Sequence, residues 1–163
     1  MPEVIADTSV IQYLYQSAHF SILPILYSSV VVPLAVVNEL EEGRNIGISL
    51  PNIEDFDWIQ VVRLHPQNLV AQISGLGQGE REVISVAVGS PSSLALLDDG
   101  LARQYAKDLK VNVTGTLGIL LKAKQAGLVQ TVIPALERLN DLGFRASHST
   151  LLTVLKMAGE VDR

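Results

Sequence analysis

Short apolar runs alternate with amphipathic segments along most of the chain. Five of these runs predict β-strands: Val4–Ala6, Val30–Val32, Trp58–Leu64, Ser93–Leu97 and Asn112–Val113. Segments with helical periodicity follow them, and strands that alternate with helices predict a parallel sheet covered on both faces. We therefore expect an α/β fold, a three-layer α/β/α sandwich around a central parallel sheet.

The predicted helices have recognisable starts and ends. Pro33 fits the first turn of the helix after the second strand, and Gly43 fits its end. Residues 44–57 lack periodicity and predict an exposed connection. We expect one domain over residues 1–163, with a core over about 1–128 and two C-terminal helices over about 129–163. The other predicted helices run from the first strand to about Tyr15, over His19–Leu26, Gln78–Val88 and Leu101–Leu109, and from Thr114–Thr116 to Ala126.

Composition narrows the class of protein further. Hydrophobic residues make up 48% of the 163 positions and charged residues 18%, which is typical of a folded domain. The chain has no cysteine, so disulfides, thiolate metal sites and cysteine nucleophiles are excluded and a reducing cytoplasm is expected. The start Met-Pro-Glu is not typical of a signal peptide. Pro24 and Pro33 interrupt the longest apolar region, so we expect no membrane span.

Acidic residues recur where predicted strands end or helices begin. Asp7 follows the first strand in the run IADT, Glu39 and Glu80 lie on helices, and Asp98 and Asp99 follow the fourth strand. Because the carboxyl ends of parallel strands meet at one edge of a sheet, we expect these acids to converge there. Carboxylates that share a cleft repel one another, and a divalent cation relieves that repulsion. Ligands that are all oxygen atoms favour Mg²⁺ or Mn²⁺.

Two of these positions also have a purely structural explanation. Asp7 can cap the following helix, although Thr8 or Ser9 can take that role instead. The adjacent aspartates Asp98 and Asp99 suit a turn, and successive residues leave a strand on opposite sides. We therefore expect only one of Asp98 and Asp99 to face the site, and the pattern does not choose between them.

Glu39 and Glu80 differ in how they face their helices. Glu39 flanks an apolar stripe, which is typical of a residue at the boundary of the core. Glu80 shares the helix face of Val83 and Ile84 and is predicted to point inward. A favourable interaction with the helix dipole explains an acid at this position but not its inward direction. Glu82 lies about 200° away around the same helix and remains the alternative ligand.

These segments resemble a PIN domain, the nuclease fold of VapC-type toxins. The matching runs are IADTSVI, VVPLAVVNELEEG, LGQGEREVISVAV and LALLDDGLARQYA, each of which contributes an acid. The following run VTGTLGILLKAKQAGL is similar to a VapC-like branch of bacterial and archaeal PIN proteins. The resemblance extends from Ile5 to about Leu128.

The resemblance implies a Mg²⁺- or Mn²⁺-dependent endoribonuclease. Asp7, Glu39, Glu80 and either Asp98 or Asp99 would hold the metal, and Thr8 or Ser9 would supply a supporting hydroxyl group. RNA would be the substrate, a small antitoxin protein a partner, and a homodimer the assembly. Metal-assisted hydrolysis of a phosphodiester needs neither a histidine nor a covalent nucleophile.

The remaining polar residues give less specific signals. Thr114–Gly118 lacks the Gly-Lys-Ser/Thr ending of a phosphate loop and fits the start of a helix. Arg103, Lys107 and Lys110 share a helix face, which either contacts substrate phosphates or is simply solvated. We expect packing or surface roles for the histidines, which lack metal-ligand spacing: His19, His65 and His148.

Other functions remain to be weighed against the nuclease. A haloacid-dehalogenase-like phosphatase would need an aspartate where Ser9 stands, and a response-regulator receiver would need one after the third strand, so both are excluded. The alternative is a catalytically degenerate PIN-like domain that binds RNA or a protein partner without cleaving RNA. The net charge of −5, a glutamate as the third acid, and Leu97 where a hydroxyl residue often stands favour this alternative. Acids at all four positions favour the nuclease.

Overall fold

A parallel five-stranded sheet forms the centre of the protein, with strand order β3-β2-β1-β4-β5. The computed structural model describes residues 2–161. Within each pair of neighbouring strands the direction is parallel, and Ile5 of β1 lies opposite Val31 on one side and Ala95 on the other. The strands are β1 (Val4–Ala6), β2 (Val30–Pro33), β3 (Ile59–Val62), β4 (Leu94–Leu96) and β5 (Asn112–Thr114).

Helices flank this sheet, so the predicted α/β/α sandwich is confirmed. The helix α4 packs across β1, β2 and β4, and α6 contacts β5, α1 and α8. Two short 3₁₀ segments cover Ile53–Asp55 and Pro66–Asn68. The α-helices are α1 (Thr8–Gln16), α2 (Ile22–Tyr27), α3 (Leu34–Asn45), α4 (Gln78–Val88), α5 (Gly100–Asp108), α6 (Thr116–Gln125), α7 (Ile133–Asp141) and α8 (His148–Met157).

The central strands are buried along their whole length. Every residue of β1 and β2 is buried, because helices cover both faces of a parallel sheet and leave no solvated side to alternate with. The edge strand β3 is more open, and Val61 on it is 47% exposed. The hydrophobic core therefore lies around β1, β2 and β4, with large buried side chains such as Ile5, Leu14 and Ile84.

The start and the end of α3 both differ from the prediction from the sequence. Pro33 is the last residue of β2 and precedes the helix, so it does not lie in the first helical turn. Gly43 lies inside α3, where a Cβ atom would overlap the side chain of Leu50. The helix ends instead before Gly47, which has a φ of 91° and donates its amide to Arg44 O at 3.0 Å.

The connection after α3 is less exposed than the sequence predicts. Leu50, Pro51 and Ile53 are buried, and the Arg44 side chain donates to Pro51 O at 2.7 Å. Because these apolar residues have no regular spacing, periodicity alone does not indicate that they join the core.

Side-chain contacts hold the C-terminal helices against the rest of the fold. Glu160 accepts hydrogen bonds from Lys124 Nζ at 2.8 Å and from the Val132 amide at 2.7 Å. The rings of Tyr13 and Phe144 meet edge to face with their centroids 5.0 Å apart. These contacts connect the end of the chain to α1, α6 and α7. Over the described stretch 2–161, no helix combines the length and apolar character that crossing a bilayer requires.

Candidate active site

The carboxyl edge of the sheet brings together residues that are distant in sequence. Asp7 directly follows β1, and Asp98 follows the neighbouring strand β4 after Leu97. The Asp7 amide donates to Leu96 O at 3.1 Å, which fixes the two strand ends beside each other. This position of Asp7 and Asp98 follows directly from the parallel arrangement of the strands.

Asp7 is a buried carboxyl group surrounded by other acids. It is the N-cap residue of α1, yet its side chain makes no capping hydrogen bond with any residue that the structure describes. The pKa of Asp7 is raised to about 8, mainly by burial; the Thr8 amide lowers it, and the charges of Glu80, Glu39 and Asp98 add to the increase. The charges of three other acids therefore act on Asp7.

Glu39 reaches this edge from α3. Its Oε1 atom accepts a hydrogen bond from the Thr8 hydroxyl at 3.3 Å, so Thr8 orients Glu39 and does not cap α1. Burial raises the pKa of Glu39, the Thr8 hydroxyl and the Gly79 amide lower it, and the nearby Glu80 charge raises it. A Cβ atom on Gly79 would overlap the Glu39 carboxylate. The glycine in α4 thus allows the two helices to approach closely enough to place Glu39 here.

The structure distinguishes Glu80 from Glu82. Glu80 Oε1 accepts a hydrogen bond from the Gly77 amide at 2.8 Å. Burial raises the pKa of Glu80, this hydrogen bond lowers it, and the charge of Asp99 raises it. The charge of Glu80 acts on both Asp7 and Glu39. Glu82 points elsewhere, because its Oε1 atom accepts from the Ala35 amide at 3.1 Å and thereby holds the first turn of α3.

Asp98 and Asp99 also have different partners. The two carboxylate oxygens of Asp98 accept from the amide and the hydroxyl group of Thr116, each at 2.7 Å. Burial raises the pKa of Asp98, while the Thr116 hydrogen bonds and the Arg103 charge lower it. Asp99 is exposed, and its Oδ2 atom accepts from the Ala102 amide at 3.0 Å as the cap of α5.

Arg103 supplies a positive charge beside Asp98. Its Nη1 atom donates to Leu97 O at 3.1 Å, so the guanidinium group stays at the end of β4. A Cβ atom on Gly115 would lie 2.6 Å from Asp98 Oδ1 and 2.8 Å from Arg103 Nη1. Lys107 is exposed on the same helix, so the predicted basic stripe divides into one cation at the acidic edge and others in solvent.

Comparison with known families agrees with this geometry. A family model described as a PIN domain matches residues 3–160. The chain belongs to the PIN-domain family. PIN domains are generally nucleases that act on nucleic acids, and they typically use divalent metal ions. No curated protein matches the chain.

Thr116 contacts the candidate site residue Asp98, and the sequence did not single it out. Leu97 lacks the hydroxyl group that often precedes the fourth acid, and the Thr116 hydroxyl contacts Asp98 from the next strand-to-helix connection. The signal was present in the run Thr114-Gly115-Thr116, but its meaning depends on β5 lying beside β4. Ser9, on the first turn of α1, has no side-chain hydrogen bond to any described residue.

The acids of this PIN domain fit a hard divalent cation by their chemistry. They offer only oxygen atoms, and their mutual repulsion around Asp7 is the kind that a cation relieves. As the side chains stand, no three acidic or histidine residues in the described range are grouped closely enough to hold one ion. Glu80 accepts a hydrogen bond from the neutral Gly77 amide and has no cationic partner among the described residues.

Proposed function

We propose that this PIN domain is a Mg²⁺- or Mn²⁺-dependent endoribonuclease whose metal-binding acids are Asp7, Glu39, Glu80 and Asp98. The observation that supports this most is the environment of Asp7, where burial and three neighbouring carboxylates raise its pKa to about 8. A buried carboxyl group without a compensating cation destabilises the fold, so its presence here calls for a functional reason.

The chain's own residues would hold the acids and the substrate in place. A bound divalent ion would supply the Lewis acidity that lowers the pKa of water and offsets charge on the phosphate. Thr8 would orient Glu39 and Thr116 would orient Asp98, as their hydrogen bonds indicate. We assign the fourth position to Asp98 and not to Asp99, because Asp99 is exposed and caps α5.

Arg103 is our candidate for contact with a substrate phosphate. Its guanidinium group lies beside Asp98 and uses Nη1 to hold Leu97 O, which leaves further N–H donors for an anion. With a net charge of −5 the protein has no general attraction for RNA, so a local cation at the acidic edge would matter. Ser9 stays a second candidate for a polar contact, since it lies one residue beyond Thr8 on α1.

The choice of RNA and of a toxin role rests on the resemblance to VapC-type proteins. If the protein is a toxin, expression alone should slow growth, and a small antitoxin should bind the protein and restore growth.

The resemblance and the apolar faces of α7 and α8 also support a homodimer. Light scattering at micromolar concentration would test this, and a monomeric mass would count against it.

Cleavage of a labelled single-stranded RNA of random sequence tests the central proposal. The wild-type protein should cut it internally when Mg²⁺ or Mn²⁺ is present and should stop when EDTA is added. The Asp7→Asn variant should bind the RNA but not cut it, and Asp99→Asn is the matched control that should cut normally. Full cleavage by Asp7→Asn would remove Asp7 from the site.

A non-cleaving PIN domain is the second candidate. The hydrogen bond from the Gly77 amide to Glu80 favours it, because this bond holds the Glu80 carboxylate in the N-terminal cap of α4. In this case Mn²⁺ would neither raise the melting temperature nor support cleavage, while RNA or a protein partner would still bind. Measuring the melting temperature by calorimetry at increasing Mn²⁺ concentrations distinguishes this candidate from the nuclease.

A further inference from the structure

A cluster of aromatic residues lies at the opposite edge of the sheet from the acids. It contains four of the eight aromatic residues in the chain (one Trp, four Tyr and three Phe): Tyr15, Phe20, Phe56 and Trp58. The ring centroid of Phe20 is 5.0 Å from those of Phe56 and Trp58 and 5.9 Å from that of Tyr15. Trp58 precedes β3, whereas Asp7 and Asp98 follow their strands, so a ligand at the aromatic cluster leaves the acids open.

These rings form the wall of an open pocket. The pocket has a volume of about 300 Å³ and is completed by Ala18, Ser21 and Pro24. Phe20 is buried, while Tyr15, Phe56 and Trp58 are half-buried and present part of their rings to solvent. The turn before Phe20 is held by the His19 amide, which donates to Leu14 O at 2.7 Å. The pocket is therefore formed in advance, and a ligand would not have to order its walls.

Charge decides which kind of ligand suits this pocket. The first Lys or Arg in the chain is Arg44, so the segment that contributes Tyr15, Phe20 and Pro24 contains neither, and Arg138 of α7 donates to Gln16 O beside it. The segment that contributes Phe56 and Trp58 has exposed acids at Glu54, Asp55 and Asp57. These three acids, the acidic rim, are adjacent in sequence to Phe56 and Trp58, and their charges repel the phosphates of a nucleic acid and attract Lys or Arg.

We propose that this aromatic pocket docks a proline-containing peptide segment of a partner protein, with Arg or Lys flanking the proline. Aromatic-lined grooves accept prolines of a polyproline II helix, since that conformation is already ordered and presents flat apolar rings. The acidic rim then binds the flanking cation, which can also pack against Trp58. Docking here would recruit the protein to its partner without blocking the candidate active site.

Trp58 provides a direct measurement, because it is the only tryptophan in the chain. A random short-peptide library should be selected on the wild-type protein, with peptides that also bind the Ser21→Arg variant discarded. Ser21 is exposed and lines the pocket, so an arginine there should fill the pocket and repel cations without disturbing the core. We expect the selected peptides to contain proline next to Arg or Lys, and to change Trp58 fluorescence saturably.

Charge reversal then tests the rim. The double variant Asp55→Lys/Asp57→Lys should weaken binding of a selected peptide by about tenfold or more, because rim charges steer and hold a cationic partner. Asp108→Lys, on α5 next to the opposite edge strand β5, is the matched control and should leave binding unchanged. No enriched peptide, enrichment of acidic peptides, or equal loss in both variants would overturn the proposal. A stronger Trp58 response to an oligouridylate than to the peptides would also overturn it, in favour of a nucleic-acid site.

Discussion

Asp7 and Asp98 follow neighbouring strands of one sheet, and burial raises the pKa of both, yet their hydrogen bonds and charged neighbours differ. Asp98 accepts two hydrogen bonds of 2.7 Å from Thr116, and Arg103 adds a favourable charge. Asp7 is buried among Glu80, Glu39 and Asp98, and its pKa rises to about 8. The protein therefore offsets part of the cost of burying Asp98, whereas the neighbouring acids add to the cost of charging Asp7.

This contrast explains how an acidic site can be rigid and still have affinity for a cation. If every acid were paired like Asp98, a metal ion would have to displace strong charge-assisted hydrogen bonds. If every acid were like Asp7, the accumulated repulsion would work against folding. The arrangement here fixes the direction of one acid through Thr116 and raises the pKa of Asp7, so that a bound cation would replace the proton of Asp7.

Removing the charge at Asp7 should have the largest effect. We expect Asp7→Asn to lower metal-dependent RNA cleavage by more than about 100-fold, because loss of even an outer partner of a metal ligand costs up to that factor. The measurement is the initial rate with Mn²⁺, at equal concentrations of folded protein. A rate within a few-fold of wild type would show that Asp7 is a structural residue, and the contrast with Asp98 would lose its functional meaning.

The same substitution should make the metal-free protein more stable, with a defined pH dependence. A carboxyl group whose pKa is raised on folding contributes stability below its ordinary pKa, near 3.8, and this contribution is lost as the pH rises through about 8. Asp7→Asn should thus match wild type near pH 4 and exceed it increasingly towards pH 8, by on the order of a few kcal/mol. Urea unfolding in EDTA across this range measures the difference. A variant that is less stable than wild type at pH 8 would contradict the raised pKa of Asp7.

The positions of Asp7 and Asp98 at one edge could be predicted from the sequence. Both follow apolar runs, and parallel strands place their carboxyl ends together whatever their order. The partners of the acids could not be predicted in the same way. Thr116 contacts Asp98 only because β5 lies beside β4, and Glu82 turns away because the Ala35 amide lies within reach of it. Strand order and helix packing set these contacts, and neither is encoded in local periodicity.

The roles of two glycines also could not be predicted from the sequence. Gly43 fits the end of a helix by residue type, but it lies inside α3. A larger residue at this position would collide with Leu50. Gly79 looks like an ordinary helical residue, and its role becomes visible only with the Glu39 carboxylate beside it. A glycine that makes room for a distant side chain has no local signature, whereas a glycine with positive φ, such as Gly47, has one.

The support of Asp98 can be weakened without removing the acid. Thr116→Val keeps the shape and the backbone amide but deletes the hydroxyl that donates to Asp98. We expect a loss of about 1–3 kcal/mol in the free energy of unfolding at neutral pH, because a buried hydrogen bond to a charged group is lost. Cleavage should fall by about tenfold through misorientation of Asp98. Thr116→Ser, which restores the hydroxyl, should recover most of both effects, and failure to do so would point to packing as the cause.

Asp99 offers the smallest effect and the sharpest control, since it is adjacent to Asp98 and has the same charge. Asp99→Asn keeps an oxygen that can accept from the Ala102 amide, and Asn is as good a helix cap as Asp, so stability should change little. Asp99→Ala should cost about 1 kcal/mol in the free energy of unfolding through loss of the cap. Cleavage by both variants should stay close to wild type, because the side chain caps α5 and acts on the candidate site only through its charge on Glu80. If Asp99→Asn abolished cleavage while Asp98→Asn did not, the two aspartates would have exchanged roles. The hydrogen bonds from Thr116 would then secure the fold and not the site.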